Sequence, residues 1–195
     1  MKVVVIGAGY AGTIAANRLA GKVPEARITV INPRSEFVER VRLHEQVAAT
    51  GVASTPLTSM LRAGITVRLG TVNKIGDGCV TLGDGASETF DYLFLAVGST
   101  VAPLPGAVAV GMWEGAESAR SALAALPWAS VVTVVGGGST GIETASEIAD
   151  ARPDLRKHCV AQQLVPSIDG GLRDAEQLSS ICNSVRGPDS TRSEL

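Results

Sequence analysis

Apolar positions in this chain fall in short runs, most of them closed by glycine or proline. Lys2–Ile6 reads as a buried strand, and Gly7-Ala8-Gly9-Tyr10-Ala11-Gly12 follows as a tight turn that opens a helix over about Ala11–Ala20. Ile28–Ile31 is a second short strand, stopped at Asn32-Pro33. Ser35 is placed to cap a helix from Glu36 to about Ala49, with Phe37, Val41, Leu43 and Val47 as its apolar positions and Gly51 as its end. Pro56–Arg62 is a short helical turn. Ile65–Leu69, Val72–Ile75, Cys79–Leu82 and Glu88–Phe90 read as an antiparallel meander, the last pair turned by Gly83-Asp84-Gly85. Tyr92–Val97 is predicted as a buried parallel strand that Gly98-Ser99 breaks. A Pro-rich loop over Val101–Gly106, a strand over Val108–Met112 and an Ala-rich helix over Glu114–Leu126 follow.

The opening pattern then returns. Val131–Val135 is an apolar run, Gly136-Gly137-Gly138-Ser139-Thr140-Gly141 a glycine turn, and Ser139–Asp150 a helix. Two strand–turn–helix units so far apart suggest a long-range internal duplication. The expected fold class is α/β: Rossmann-like parallel sheets with an antiparallel β-meander insertion and an incomplete second Rossmann unit. The incompleteness is expected because Lys157-His158-Cys159-Val160-Ala161-Gln162-Gln163 stands where a Val/Ile/Leu strand is due, and polar residues dominate after it.

Composition narrows the function classes. The 195 residues are 45% hydrophobic, enough for a globular core, and a net charge of −2 recommends no nucleic-acid partner. Three widely spaced cysteines, Cys79, Cys159 and Cys182, read as reduced thiols. They form no cluster of metal-binding type, so no metal is expected. No run of about 18 apolar residues marks a transmembrane segment, and Met1–Ile6 is too short for a signal peptide. A cytoplasmic location is expected.

The glycine turns carry the chemistry. In such a turn the first glycine permits the tight bend, the second lets backbone approach a pyrophosphate, and the third lets helix pack on strand. The helix N-terminus then offers free N–H groups to the anion. Two such turns suggest two dinucleotides and electron transfer between them. Asn32 stands where an acidic ribose-binding residue commonly ends the second strand; as a turn residue before Pro33 it has an equally simple structural reading. Arg40, Arg42 and His44 fall on the expected helix after that strand, Arg40 and His44 sharing a face, which reads either as near a substrate or as a solvated or interdomain face.

Asp91-Tyr92-Leu93-Phe94-Leu95-Ala96-Val97-Gly98-Ser99 resembles a segment of two-dinucleotide-binding-domain flavoproteins, in which an FAD-binding domain is interrupted by an NAD(P)H-binding domain. The order of glycine turn, meander, this segment, second glycine turn and Glu143 is similar to that superfamily from Met1 to about Asp150. No redox cysteine pair follows the first unit. Gln46-Val47-Ala48-Ala49-Thr50-Gly51 instead resembles type II NADH dehydrogenases and apoptosis-inducing-factor-like oxidoreductases.

The resemblance implies an FAD-dependent oxidoreductase that passes hydride from NAD(P)H to FAD and on to a quinone or another small-molecule acceptor. It implies FAD pyrophosphate at Gly7, Gly9, Tyr10, Ala11 and Gly12, adenosine ribose at Asn32, adenine near Val72, and the flavin side near Ala96, Val97 and Gly98. Gly136, Gly138 and Gly141 would hold the NAD(P)H pyrophosphate. Glu143 would lie near the nicotinamide, or serve only as a helix first-turn acid. By the same resemblance, residues 1–110 are the first part of the FAD-binding domain, with the meander over about 65–90. Residues 111–156 would begin the NAD(P)H-binding domain, and 157–195, from their polar composition and lack of a period, are expected to be an atypical flexible tail. Relatives of this kind are longer, and full-length ones can be peripheral to a membrane. That leaves a fragment or a frame change near Arg156 as readings, and a nucleotide-binding module without turnover as the alternative function.

Overall fold

The computed structural model describes residues 1–102 and 104–160. In chain order its elements are β1 (Lys2–Ile6), α1 (Tyr10–Lys22), β2 (Arg27–Asn32), β3 (Glu36–Val38), a 3-10 turn (Arg40–Arg42), α2 (Leu43–Ala48), β4 (Ser54–Pro56), α3 (Leu57–Met60), β5 (Thr66–Leu69), β6 (Val72–Ile75), β7 (Cys79–Leu82), β8 (Ser87–Thr89), β9 (Tyr92–Leu95), α4 (Trp113–Ala125), β10 (Val131–Val135), α5 (Ser139–Ala151) and β11 (Arg156–Val160). They form two compact units. The first holds Met1–Glu39 and Ala53–Val101; the second holds Arg40–Val52 and the described residues from Ala102 on.

The first unit is built on a parallel sheet of order β5-β2-β1-β9. Val3, Val4, Val5 and Ile6 are all buried, as expected of a central strand covered on both faces. Alternation divides them. Val3 and Val5 join Ala8, Ala16, Ile28, Val30, Phe37 and Leu57 in one core, on the face that α1 covers. Val4 and Ile6 join Ile31, Val80 and Leu82 in the other, where β7 of the meander packs. The fold class read from the sequence, a parallel Rossmann-like sheet with a meander insertion, is the one that forms.

Four local expectations are corrected. The helix over Glu36–Ala49 is not continuous. Glu36–Val38 pairs antiparallel with Ser54–Pro56, Ser35 Oγ donates to Glu36 Oε1 (2.8 Å) rather than capping a helix, and only Leu43–Ala48 is α-helical. Pairing that buries Phe37 outweighs the helical spacing of the apolar positions. The piece near Ile65–Leu69 is not part of the meander: β5 extends the parallel sheet beside β2, leaving a three-stranded β6-β7-β8 meander. β9 is parallel to β1 but is an edge strand, with Tyr92, Phe94 and Leu95 54–62% exposed. Val108–Met112 is no strand; a Met112 N–H to Ala109 carbonyl bond (3.1 Å) turns the chain into α4.

The second unit holds β10 and β11, parallel and in register from Val131↔Arg156 to Val135↔Val160, with α5 between them in sequence. The strand expected to be missing is therefore present. A strand set only by main-chain hydrogen bonds and half exposed on alternate positions does not need an all-apolar sequence, and Arg156-Lys157-His158-Cys159-Val160 supplies an exposed–intermediate alternation. With β11 in place, Ala145 and Ile148 on α5 are buried, as is Leu155. The expected flexible tail loses residues 157–160 to β11, and its remainder, 161–195, lies outside the described residues. α2, separated in sequence, packs on α4 and α5, with Leu43 and Val47 buried. At the far end of α4 the Arg152 guanidinium donates to the Leu123 and Leu126 carbonyls, oriented by Asp154 at 2.7 Å, and so closes helix carbonyls that lack intrahelical partners. No helix among the described residues is long and apolar enough to cross a membrane.

Candidate functional site

The two glycine turns have matching geometry. Lys2 corresponds to Val131 and Ile31 to Val160, a constant offset of 129 positions without a gap through both units. Hydrogen bonds repeat at that offset. Gly7 N–H donates to the Ile31 carbonyl (2.8 Å), and Gly136 N–H to that of Val160 (2.9 Å). Arg27 N–H reaches the Met1 carbonyl and Arg156 N–H that of Ser130, both at 2.9 Å. Both helices run for 13 residues, and both are preceded by an extended glycine, Gly9 or Gly138, with no side-chain cap.

Each glycine answers a separate demand. Gly7 and Gly136 have φ of 97° and 120°, the left-handed region that L residues avoid. A Cβ on Gly12 would fall on the Gly7 carbonyl oxygen, and one on Gly141 on that of Gly136, so helix and strand pack only if both are glycine. A Cβ on Gly9 or Gly138 would meet nothing within 4 Å. The middle glycine is thus not required by the protein's own packing. Its open side lies at an uncapped helix N-terminus, where free N–H groups and the positive dipole end suit a pyrophosphate. On this ground both turns fit a dinucleotide.

Around the first turn the structure gathers several residues singled out from the sequence. A Cβ on Gly7 would fall on the Ala96 carbonyl, and Ala96 N–H donates to the Ile6 carbonyl (2.8 Å), so Ala96 abuts the turn. Val97 is 71% exposed beyond it, and Gly98 turns with φ of 71°. Tyr10 lies edge-on to Phe37, ring centroids 5.0 Å apart. Ala11 is in the first turn of α1. Asn32 is buried; its Oδ1 accepts from Ala8 N–H (3.0 Å) and its Nδ2 donates to the Arg34 carbonyl (2.7 Å). The structural role open to Asn32 is therefore realised, and one lone pair and one N–H of the amide are left for a ribose. Gly70 N–H donates to the Asn32 carbonyl (2.9 Å), which brings the start of β6, and Val72, to the same end of the sheet.

In the second unit His44 on α2 and Glu143 on α5 come together, Nδ1 to Oε2 at 3.6 Å. Arg40 and His44 do not share a helix face. Arg40 lies in the 3-10 turn and donates to the Gly111 carbonyl (3.2 Å), while Arg42 holds Glu45 through two bonds of 2.9 and 2.6 Å. The Arg42 guanidinium keeps the Glu45 carboxyl below its ordinary range. The segment that carries the resemblance includes two residues to which the sequence assigns no role: Gln46, which is buried and donates to Glu117 Oε1 (2.6 Å), and Thr50, which donates to Glu147 Oε2 (2.6 Å). Sequence reading missed Thr13 altogether; its hydroxyl donates to the Ala8 carbonyl (3.1 Å). A polar residue on the buried side of α1, directly after a glycine turn, was the available signal.

Comparison with known proteins agrees with this geometry. The human ferroptosis suppressor protein 1 is 29% identical over 201 residues, covering 95% of this chain and 49% of that protein. An NADH dehydrogenase-like protein of Mycobacterium tuberculosis is 35% identical over 167 residues, covering 75% of this chain and 42% of the relative. The chain thus spans about half the length of the curated relatives it matches. Among solved structures, NDH2 of Plasmodium falciparum in complex with NADH matches with a TM-score of 0.65 at 22% identity, over 78% of this chain and 37% of that one. The model of the pyridine nucleotide-disulphide oxidoreductase family matches residues 1–171. The expectation of FAD and NAD(P)H as cofactors is in keeping with these matches, and the chain belongs to the pyridine nucleotide-disulphide oxidoreductase family.

Proposed function

We propose that this chain carries the two dinucleotide sites of an FAD-dependent NAD(P)H oxidoreductase, in which a hydride from NAD(P)H reduces FAD and the electrons pass to a quinone or another small acceptor. The observation that carries the reading is the ungapped repeat of strand, glycine turn and helix at an offset of 129, each copy with open space at its middle glycine. In this reading Gly7, Gly9, Tyr10, Ala11 and Gly12 hold the FAD pyrophosphate at the start of α1, with Asn32 and Val72 toward the adenosine and Ala96, Val97 and Gly98 toward the flavin. Gly136, Gly138 and Gly141 hold the NAD(P)H pyrophosphate at the start of α5. Glu143, steadied by His44, supplies a charge toward the nicotinamide end. FAD and the nicotinamide supply the redox chemistry when bound; the protein supplies position and electrostatics. Cytoplasmic action, or action at a membrane surface, goes with the identity of the acceptor.

The test is a visible spectrum of the purified chain after incubation with FAD, before and after anaerobic addition of NADH. Retained flavin bands that bleach on NADH are expected. A chain that stays colourless after FAD removes the proposal. Binding of both nucleotides without bleaching selects the alternative, a nucleotide-binding module without turnover.

A further inference from the structure

The two turns share a backbone but differ in what holds their second residue. In the first, Ala8 is 2% exposed, with its methyl in the core beside Val3, Val5 and Ala16. Both its main-chain polar groups are bonded to buried side chains: Ala8 N–H to Asn32 Oδ1 (3.0 Å) and its carbonyl to the Thr13 hydroxyl (3.1 Å). Asn32 is itself fixed by its bond to the Arg34 carbonyl, and Thr13 is 4% exposed. The peptide units on either side of Ala8 are thereby held at three points.

At the offset of 129 two of these anchors are replaced within the described residues. Gly137 stands for Ala8 and has no methyl to bury. Ile142 stands for Thr13 and has no hydroxyl. The hydroxyl that α5 does bury, Thr144, bonds the Thr140 carbonyl one helical turn back and not the Gly137 carbonyl that corresponds to Ala8. Among the described residues, two turns of equal outline therefore differ in how far their main-chain groups are fixed before a ligand arrives. Ordering a loop on binding costs affinity, and a turn already ordered avoids that cost.

We infer that Thr13 and Asn32 are positioning residues that preorganise the first turn for a dinucleotide the protein retains, whereas the described residues of the second turn repeat neither the Ala8 methyl nor the Thr13 hydroxyl, as suits a dinucleotide that exchanges. The inference rests on the assignment of FAD to the first turn and of the nicotinamide nucleotide to the second.

The test uses the full chain. Thr13→Val keeps the shape of the side chain and deletes the hydroxyl; Thr13→Ser keeps the hydroxyl; Asn32→Ala deletes the amide. FAD affinity is read by quenching of flavin fluorescence, and NAD+ affinity by calorimetry on FAD-saturated protein, with no turnover involved. Thr13→Val is expected to weaken FAD binding about tenfold, the value of one buried hydrogen bond. Thr13→Ser is expected to restore it, and NAD+ affinity is expected to stay unchanged in both. Asn32→Ala, if it folds, weakens FAD binding further. Wild-type FAD affinity in Thr13→Val, or a parallel loss of NAD+ affinity that marks general damage, overturns the inference and leaves the functional reading standing. Wild-type protein that binds no FAD overturns both.

Discussion

Gly9 and Gly12 stand three residues apart in one turn and answer to different partners. Adding a methyl to a helical glycine ordinarily gains about 1 kcal/mol. At Gly12 the sign reverses, because the methyl lands on the Gly7 carbonyl; Gly12→Ala is expected to lower stability by about 1–3 kcal/mol in denaturant unfolding. Gly9 has φ of −76° and open space where its Cβ would be. Gly9→Val therefore costs under about 1 kcal/mol, the change in N-cap preference, while its side chain fills the room for a pyrophosphate. Asn32→Asp is a third case. Ala8 N–H can still donate to a carboxylate, but the oxygen replacing Nδ2 would face the Arg34 carbonyl at 2.7 Å. A loss of about 1–3 kcal/mol in stability is expected, so the substitution does not improve the site as an acid at this position otherwise would.

The pH response of the Arg42–Glu45 pair follows from its sign. The folded-state pKa of Glu45 lies below its ordinary 4.5, so the pair's contribution is fully present above that value and is lost as pH falls through the lower folded pKa. Melting temperatures of wild type and Glu45→Gln should differ at neutral pH and converge on acidification. A difference that persists unchanged in acid would count against the pair.

Among elements, α2 shows how tertiary contacts reassign a segment. Its six residues are too few for a stable isolated helix. Leu43 and Val47 are buried, the buried Gln46 amide bonds the Glu117 carboxylate, and Thr50 bonds Glu147, so α4 and α5 hold it. Gln46→Ala removes a buried hydrogen bond to a charged group and is expected to cost about 1.5–3 kcal/mol in denaturant unfolding. A cost within experimental error would mean that the packing of Leu43 and Val47, with the Thr50–Glu147 bond, fixes α2 without Gln46. From the sequence, the apolar spacing of Phe37, Val41, Leu43 and Val47 suggested one long helix; nothing local to Glu36–Val38 announces a strand partner at Ser54–Pro56.

For the whole molecule the duplication makes the two sites separable. Gly9→Val should abolish FAD retention and keep NAD+ binding, and Gly138→Val, equally open at its Cβ, should do the reverse. Loss of both ligands in either single variant would show that the two turns are not independent sites. The division into units also departs from a simple order along the chain, because Arg40–Val52 belongs with the residues that follow Ala102.

The two strand–turn–helix units are legible in the amino-acid order, because a glycine turn is a local constraint. φ above zero at Gly7 and Gly136, and the tight contacts of Gly12 and Gly141, are satisfied within a few residues and leave a readable spacing. The apolar run Val3–Ile6 and the hairpin at Gly83-Asp84-Gly85 are local patterns as well and equally legible. Features that depend on partners distant in sequence emerge only in the folded chain. The strand role of Glu36–Val38 needs Ser54–Pro56, and the parallel place of β5 needs β2. Arg156–Val160 becomes a strand because Val131–Val135 offers an unpaired row of main-chain groups, whatever side chains it carries. The anchoring of Ala8 by Thr13 and Asn32 joins residues 5 and 24 positions away through buried hydrogen bonds. A pattern of hydrophobicity carries no mark of such bonds, because it registers where side chains are buried and not which groups they meet there.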